Sequence, residues 1–221
     1  MRARLALLLL ACGVNACALS TGGLTDRTEL EGGIHDGAAI GWWSFGAEMR
    51  LTFTDSVVAH TPPRSGGLAL LNALRKERAV LAQYFSAVSH CGKRVRFRGW
   101  VKTHRVGGWA GLWIRVDSED RENIAYDDMA DRAIRGTTDW TRYDVVIDVP
   151  EKATIVNVGI VLSGSGQVWL DTCSFEVVDA TVDATGVYMQ DRPRRWSFDL
   201  VDDAPTNLAF DDEFDAVIDG H

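Results

Sequence analysis

Hydrophobic and polar positions alternate with a period of two through the middle of the chain. In Arg94–Thr103, Val95, Phe97 and Val101 alternate with Arg94, Arg96, Arg98, Trp100 and Lys102. In Trp109–Asp117, Ala110, Leu112, Ile114 and Val116 alternate with Trp109, Gly111, Trp113, Arg115 and Asp117. Period-two alternation marks half-buried strands. Between them, His104-Arg105-Val106-Gly107-Gly108 reads as a hairpin loop, with glycine supplying positive φ. That register places Trp100 near Gly111 and Arg98 near Trp113. Later strands are predicted at Tyr143–Val149, Ile155–Leu162 and Val168–Val178, the last two joined by a turn at Gly164-Ser165-Gly166. Helical spacing is weak and confined to Leu68–Ala82, with Arg75, Lys76, Glu77 and Arg78 as its polar part.

The strands fall between about residues 40 and 180. The expected organisation is a signal segment over 1–18, a linker over 19–39, one β-sandwich domain over 40–180, and an acidic tail or added edge strand over 181–221. A length of 221 residues and 46% hydrophobic content suit one all-β domain with a sizeable core. The net charge of -8, from 31 acidic and 23 basic residues, argues against a nucleic-acid partner, which calls for a basic footprint.

The N-terminus pairs a basic start, Arg2 and Arg4, with the apolar run Leu5–Ala11. Small residues follow, and the run is too short for a transmembrane span, so it reads as a secretory signal. Ala16-Cys17-Ala18 fits cleavage ahead of Leu19. Cys12 after Leu9-Leu10-Ala11, and Cys17 after Val14-Asn15-Ala16, each fit a lipidation site. The expected location is the bacterial envelope or beyond: periplasmic, secreted or lipid-anchored. Outside this region only Cys91 and Cys173 remain. In an oxidising compartment they either form one long-range disulfide or stay as two thiols.

Several segments in order carry a family resemblance: Gly92–Thr103, Gly108–Trp113, Asp131-Arg132 with Ile134–Trp140, and Gly166–Asp171. Together they resemble an uncharacterised bacterial family with a galactose-binding-like jelly-roll β-sandwich, a fold shared with carbohydrate-binding modules. The resemblance covers about residues 40–180. It implies an all-β, mostly antiparallel sandwich. Members of the family are often labelled transcriptional regulators, but no helix-turn-helix is predicted here. Carbohydrate-binding relatives often hold a structural calcium ion near the first and last strands. Asp171 falls at the matching last-strand position, and Thr172 stands where an acidic or amide residue is common. Thr206–Asp211 resembles a jelly-roll opening strand displaced to the C-terminus.

The chemistry of known catalytic motifs is missing from the sequence. The five histidines, His35, His60, His90, His104 and His221, lack zinc-ligand spacing, and the cysteines form no CxxC. There is no P-loop and no G-x-S-x-G nucleophile elbow. Asp127-Asp128 reads as a loop pair capping backbone N–H groups rather than as two glycosidase carboxylates. Arg132, Arg135 and Asp139 read as a salt-bridged loop, and Trp140 and Trp169 as core. The remaining constellation is the polar face of the predicted hairpin. There Trp100 and Trp113 would offer flat platforms to sugar C–H faces, and Arg98 and Arg115 would donate to hydroxyls. The alternative is structural, with the tryptophans packed inside and the arginines stacked on them. The expectation is therefore a non-catalytic, exported binding module with carbohydrate as its ligand class. The competing expectation is a structural or protein-interaction domain of the envelope.

Overall fold

The computed structural model describes residues 24, 27–48, 50–74, 76–186, 192–193 and 202–212. The signal segment, with Cys12 and Cys17, lies outside the described residues. The strands in chain order are β1 (Ile34–Asp36), β2 (Trp43–Gly46), β3 (Arg50–Asp55), β4 (Ser65–Leu70), β5 (Arg78–Ser86) and β6 (Arg94–Ser118). They continue with β7 (Arg121–Glu122), β8 (Ala125–Asp127), β9 (Ile134–Asp148), β10 (Ala153–Ser163), β11 (Gly166–Val178) and β12 (Arg192–Pro193). Helical geometry among the described residues is limited to three short 3-10 turns.

All strand pairings are antiparallel. The expected hairpin does not form. Residues 94–118 make one 25-residue strand, β6, which runs through both layers of a sandwich. Its first half pairs with β11 and β9, and its second half with β10 and β8. The first layer therefore runs β1-β3-β4-β11-β6 with β9 beyond, and the second runs β2-β5-β10-β6 with β8 beyond. The glycine pair serves close approach here. A Cβ on Gly108 would lie 2.0 Å from the Ser163 carbonyl oxygen. The bend comes instead at Arg105, whose φ is +50°, and at register shifts along β9.

One core fills the space between the layers. β6 contributes Val95, Phe97 and Val101 from its first half and Leu112, Ile114 and Val116 from its second. β10 adds Val156, Val158 and Ile160, and β11 adds Val168 and Leu170. The alternation read from the sequence is therefore the core face, even though the connection between its two halves differs. The stretch with weak helical spacing is also extended. Leu68 and Leu70 of β4 face the core, while Ala69 packs under Phe53 and Trp169 on the outer side. A strand covered on both faces is apolar at successive positions and mimics a helix in sequence.

The segment expected as a linker is partly folded. Leu24 is fully buried, its carbonyl accepts from Asn72 N–H, and β1 pairs with β3. Near the other end, residues 202–212 form a strap without strand pairing, in place of the expected edge strand or free tail. Asp202 accepts from Ser86 N–H, Gln83 bonds Thr206 through both its amide groups, and Leu208 accepts from Cys173 N–H. Phe210 is fully buried, stacked on Trp42 at 4.4 Å. It occupies the space that a side chain at Gly66 would need.

Cys91 and Cys173 are free thiols, so the disulfide alternative is not realised. Cys91 directs its Sγ to the carbonyls of Ala87 and Ala153. Cys173 lies at the bulge of β11 beside Gly99, where burial pushes its thiol well above the usual range.

Candidate functional site

The straightened β6 separates the four residues expected to meet. Arg98 and Trp100 lie on the outer side of the first layer, and Trp113 and Arg115 on the outer side of the second. On the first layer, Arg98 is spent on Asp144 through two 2.7 Å bonds. This pairing raises the guanidinium's pKa and lowers that of Asp144. Trp100 is stacked under His60 at 3.9 Å and 16°. The apolar patch beside them, Phe53, Ala69 and Trp169, is roofed by Leu30 and Val58. Trp169 is fully buried as expected and donates to Asp55, whereas Trp140 is only partly buried.

The loop preceding β4 also decides the calcium question. Asp171 is fully buried, and its carboxylate accepts backbone N–H bonds from His60, Thr61 and Thr172. The Thr172 hydroxyl adds a further bond. These donors occupy the oxygens that a calcium ion would need. Among the described residues no three His, Cys, Asp or Glu side chains cluster as metal ligands. The residues present do not fit the structural calcium that the family resemblance implies.

The second layer carries an open cleft of about 640 Å³ on its outer side. Phe45, Val80, Trp113, Tyr126 and Val161 line its apolar half. Strand register explains why these distant residues meet. Across the sheet, Trp43, Ala82, Gly159 and Trp113 fall in one row. Tyr84, Asn157, Arg115 and Tyr126 fall in the next. Small residues in the middle of the first row leave room between its aromatic ends. Phe45 leans edge-on to Trp113 at 5.9 Å and stacks on Trp43 at 4.9 Å. Gly46, at φ +111°, lets the end of β2 approach the Arg78 carbonyl, where a Cβ would lie 2.1 Å from the oxygen.

Trp113 is the floor rather than a free platform, being only 3% exposed. The Arg115 guanidinium lies 5.5 Å from the centre of its ring. The reachable aromatic surface belongs to Phe45 and Tyr126, both partly exposed. Tyr126 donates its hydroxyl to Asp128 at 3.1 Å. Burial, reinforced by the charge of Asp128, pushes the phenol up to about 12, so it remains a neutral donor at ordinary pH.

The other half of the cleft is polar. Asp127 and Asp128 cap the backbone N–H groups of Met129 and Ala130, as the sequence suggests. They are not in a solvated loop, however. Asp127 is buried and bound by Arg132 at 2.5 Å and by the Thr185 hydroxyl at 2.6 Å. Asp128 pairs with Arg78 at 3.4 Å. The expected Arg132–Arg135–Asp139 network is absent: Arg135 donates to the Gly108 carbonyl, and Asp139 pairs with Lys102.

Behind this wall sits a buried hub at Asp117, which pairs with Arg115 at 2.9 Å. Asp117 also accepts from the Asn123 backbone N–H at 2.9 Å and from Asn157 Nδ2 at 3.2 Å. Sequence reasoning found Trp113 and Arg115 but missed Phe45, Arg78, Asn123, Tyr126 and Asn157. The one local signal for them was Trp43-Ser44-Phe45, two aromatics on the same face of a strand.

No family model matches the chain. Over 137 residues, 62% of this chain, it is 41% identical to YbfP of Bacillus subtilis (strain 168), named as an uncharacterized HTH-type transcriptional regulator. The match spans 44% of that protein, so the chain covers less than half of its relative's length. Among solved structures, the chain is similar to the CBM22-1 xylan-binding domain of Paenibacillus barcinonensis Xyn10C. That match has 14% identity and a TM-score of 0.47, covering 68% of this chain and 99% of that one. It is also similar to the C-terminal family 22 carbohydrate-binding module of Clostridium thermocellum Xyn10B, at 12% identity and a TM-score of 0.47, covering 72% and 99%. A third is the Stig cyclase Fisc from Fischerella sp. TAU, at 12% identity and a TM-score of 0.49, covering 70% and 93%.

Proposed function

We propose that this chain is a non-catalytic binding module whose ligand is a carbohydrate held in the cleft of the second layer. The observation that carries the reading is the composition of that cleft. Partly exposed Phe45 and Tyr126 stand over an aromatic floor, facing a wall of Arg78, Arg115, Asn123, Asp128 and Asp131. Sugars present apolar C–H faces and hydroxyl edges together, and this pairing of ring surface with hydrogen-bonding groups suits both. The volume lies within the range of small-ligand sites. The carboxylates are tied up as caps and ion pairs, which supports binding over glycoside hydrolysis.

Export fits such a role, and we take the N-terminal signal as the route to the envelope. The sequence shared with a protein named as a transcriptional regulator fits a ligand-recognition unit used in more than one setting. Among the described residues the helices are 3-10 turns of three residues.

A glycan array of neutral and anionic oligosaccharides, probed with the full chain, tests the reading. Binding is expected, and Phe45→Ala is expected to abolish most of it. An array without signal, or equal binding by the variant, would contradict the proposal.

A further inference from the structure

Four polar atoms on or beside the cleft face lack a hydrogen-bond partner in the protein although they are shielded from solvent. They are Trp43 Nε1, Arg115 Nε, Asn123 Oδ1 and Asn157 Oδ1. Asn123 is 3% exposed and Asn157 fully buried. Buried polar groups are nearly always paired, and each exception asks for a reason. Four of the eight such atoms among the described residues lie in this region. Arg115 and Asn123 line the cleft, and Asn157 adjoins Arg115 in the sheet.

We infer that Arg115 and Asn123, backed by Asn157, form a recognition set for a hydroxyl group of an uncharged sugar. This rests on the reading of the cleft as a carbohydrate site and names the class of sugar it takes. The set offers a donor, the Arg115 Nε–H, together with amide oxygens as acceptors. A hydroxyl both accepts and donates, so it satisfies the two kinds of atom at once. A carboxylate only accepts, and would leave the amide oxygens unmet.

Charge points the same way. Arg78, Arg115 and Arg132 are each paired with an aspartate. Four aspartates, Asp117, Asp127, Asp128 and Asp131, stand against these three arginines. An anionic sugar therefore meets no unpaired cation in this group and an excess of negative charge.

Asp117 is the positioning residue. It holds Arg115 through its carboxylate, fixes the side-chain amide of Asn157, and anchors the backbone of Asn123. The Asn157 amide is fixed in direction because its Nδ2 also donates to the Arg115 carbonyl. Its Oδ1 must then point away from Asp117.

The test uses two variants chosen to change the backbone and the charge least. Asn123 sits at φ +58°, so Asn123→Gly retains the backbone geometry while deleting the amide oxygen. Arg115→Lys retains the charge beside Asp117 while deleting the Nε–H. Titration calorimetry on the full chain would compare neutral gluco-, xylo- and galacto-oligosaccharides with oligogalacturonate. Neutral sugars are expected to bind more tightly than the anionic one. Each variant should lose about tenfold in affinity for the bound neutral sugar, the size of one hydrogen bond, and a thermal scan of each confirms that the folded protein is being titrated. If Phe45→Ala abolishes binding but both variants bind as the parent does, the recognition set is wrong and the cleft reading stands. Preference for oligogalacturonate also overturns the set alone. No binding to any of these sugars overturns both.

Discussion

Trp113 shows how one residue's role depends on which side of a sheet covers it. On sequence alone it is either a platform for sugar or a packed ring. In the structure it is nearly fully buried among Val80, Ala82, Trp109 and Val161, with Phe45 against its edge. Trp113→Ala is therefore expected to cost about 3–5 kcal/mol, as deletion of a buried ring does. A thermal scan would show this as early melting, and an unchanged curve would contradict the assignment as floor. Arg98 and Trp100 were reasonable candidates only while the hairpin held. Arg98 is neutralised by Asp144 and Trp100 is covered by His60. Their identities were right for sugar binding, but their neighbours remove them from it. Nothing local in the sequence reports the neighbour across a sheet.

At the scale of elements, the sequence was readable wherever periodicity acted alone. The alternation in β6 placed Val95, Phe97, Leu112 and Ile114 on the core face, and these residues are fully buried. The strands β10 and β11 and the turn between them fall within a few residues of their expected bounds. What periodicity lacks is the meaning of a glycine pair, which serves a tight turn and a close backbone contact equally well. Gly107-Gly108 is the second, and β6 consequently links two layers instead of folding back. The strap over 202–212 was missed for another reason. Its apolar residues, Leu208, Ala209 and Phe210, lie in an acidic stretch without alternation, and a single anchor leaves no period. That anchor is testable. Phe210→Ala would open a cavity against Trp42 and Gly66, and is expected to destabilise the domain by about 3–5 kcal/mol. Denaturant unfolding measures this directly. A loss within about 0.5 kcal/mol, as at ordinary surface positions, would show that the strap contributes little to the fold.

For the whole molecule, the two outer faces of the sandwich set the account. Each carries tryptophan and arginine, so composition does not separate them. The first is partly covered by its own chain, through Leu30, Val58 and His60, and its charges are taken up in ion pairs such as Arg94–Asp148 and Arg96–Glu176. The second keeps an open cleft with ring surface, hydrogen-bonding wall and unpartnered buried atoms together. Of the candidate site, Trp113 and Arg115 were legible, because they belong to one well-patterned strand. The rest comes from β2, β5, β8, β10 and the connection between β7 and β8, joined by strand order that sequence periodicity does not encode. The most direct test is a backbone NMR titration of the chain with a neutral oligosaccharide selected on the array. The account predicts shifts concentrated at Phe45, Gly46, Asn123, Tyr126 and Asp128, with Arg98, Trp100 and His60 unmoved. Shifts centred on Arg98, Trp100 and His60 would place the ligand on the opposite face and contradict it.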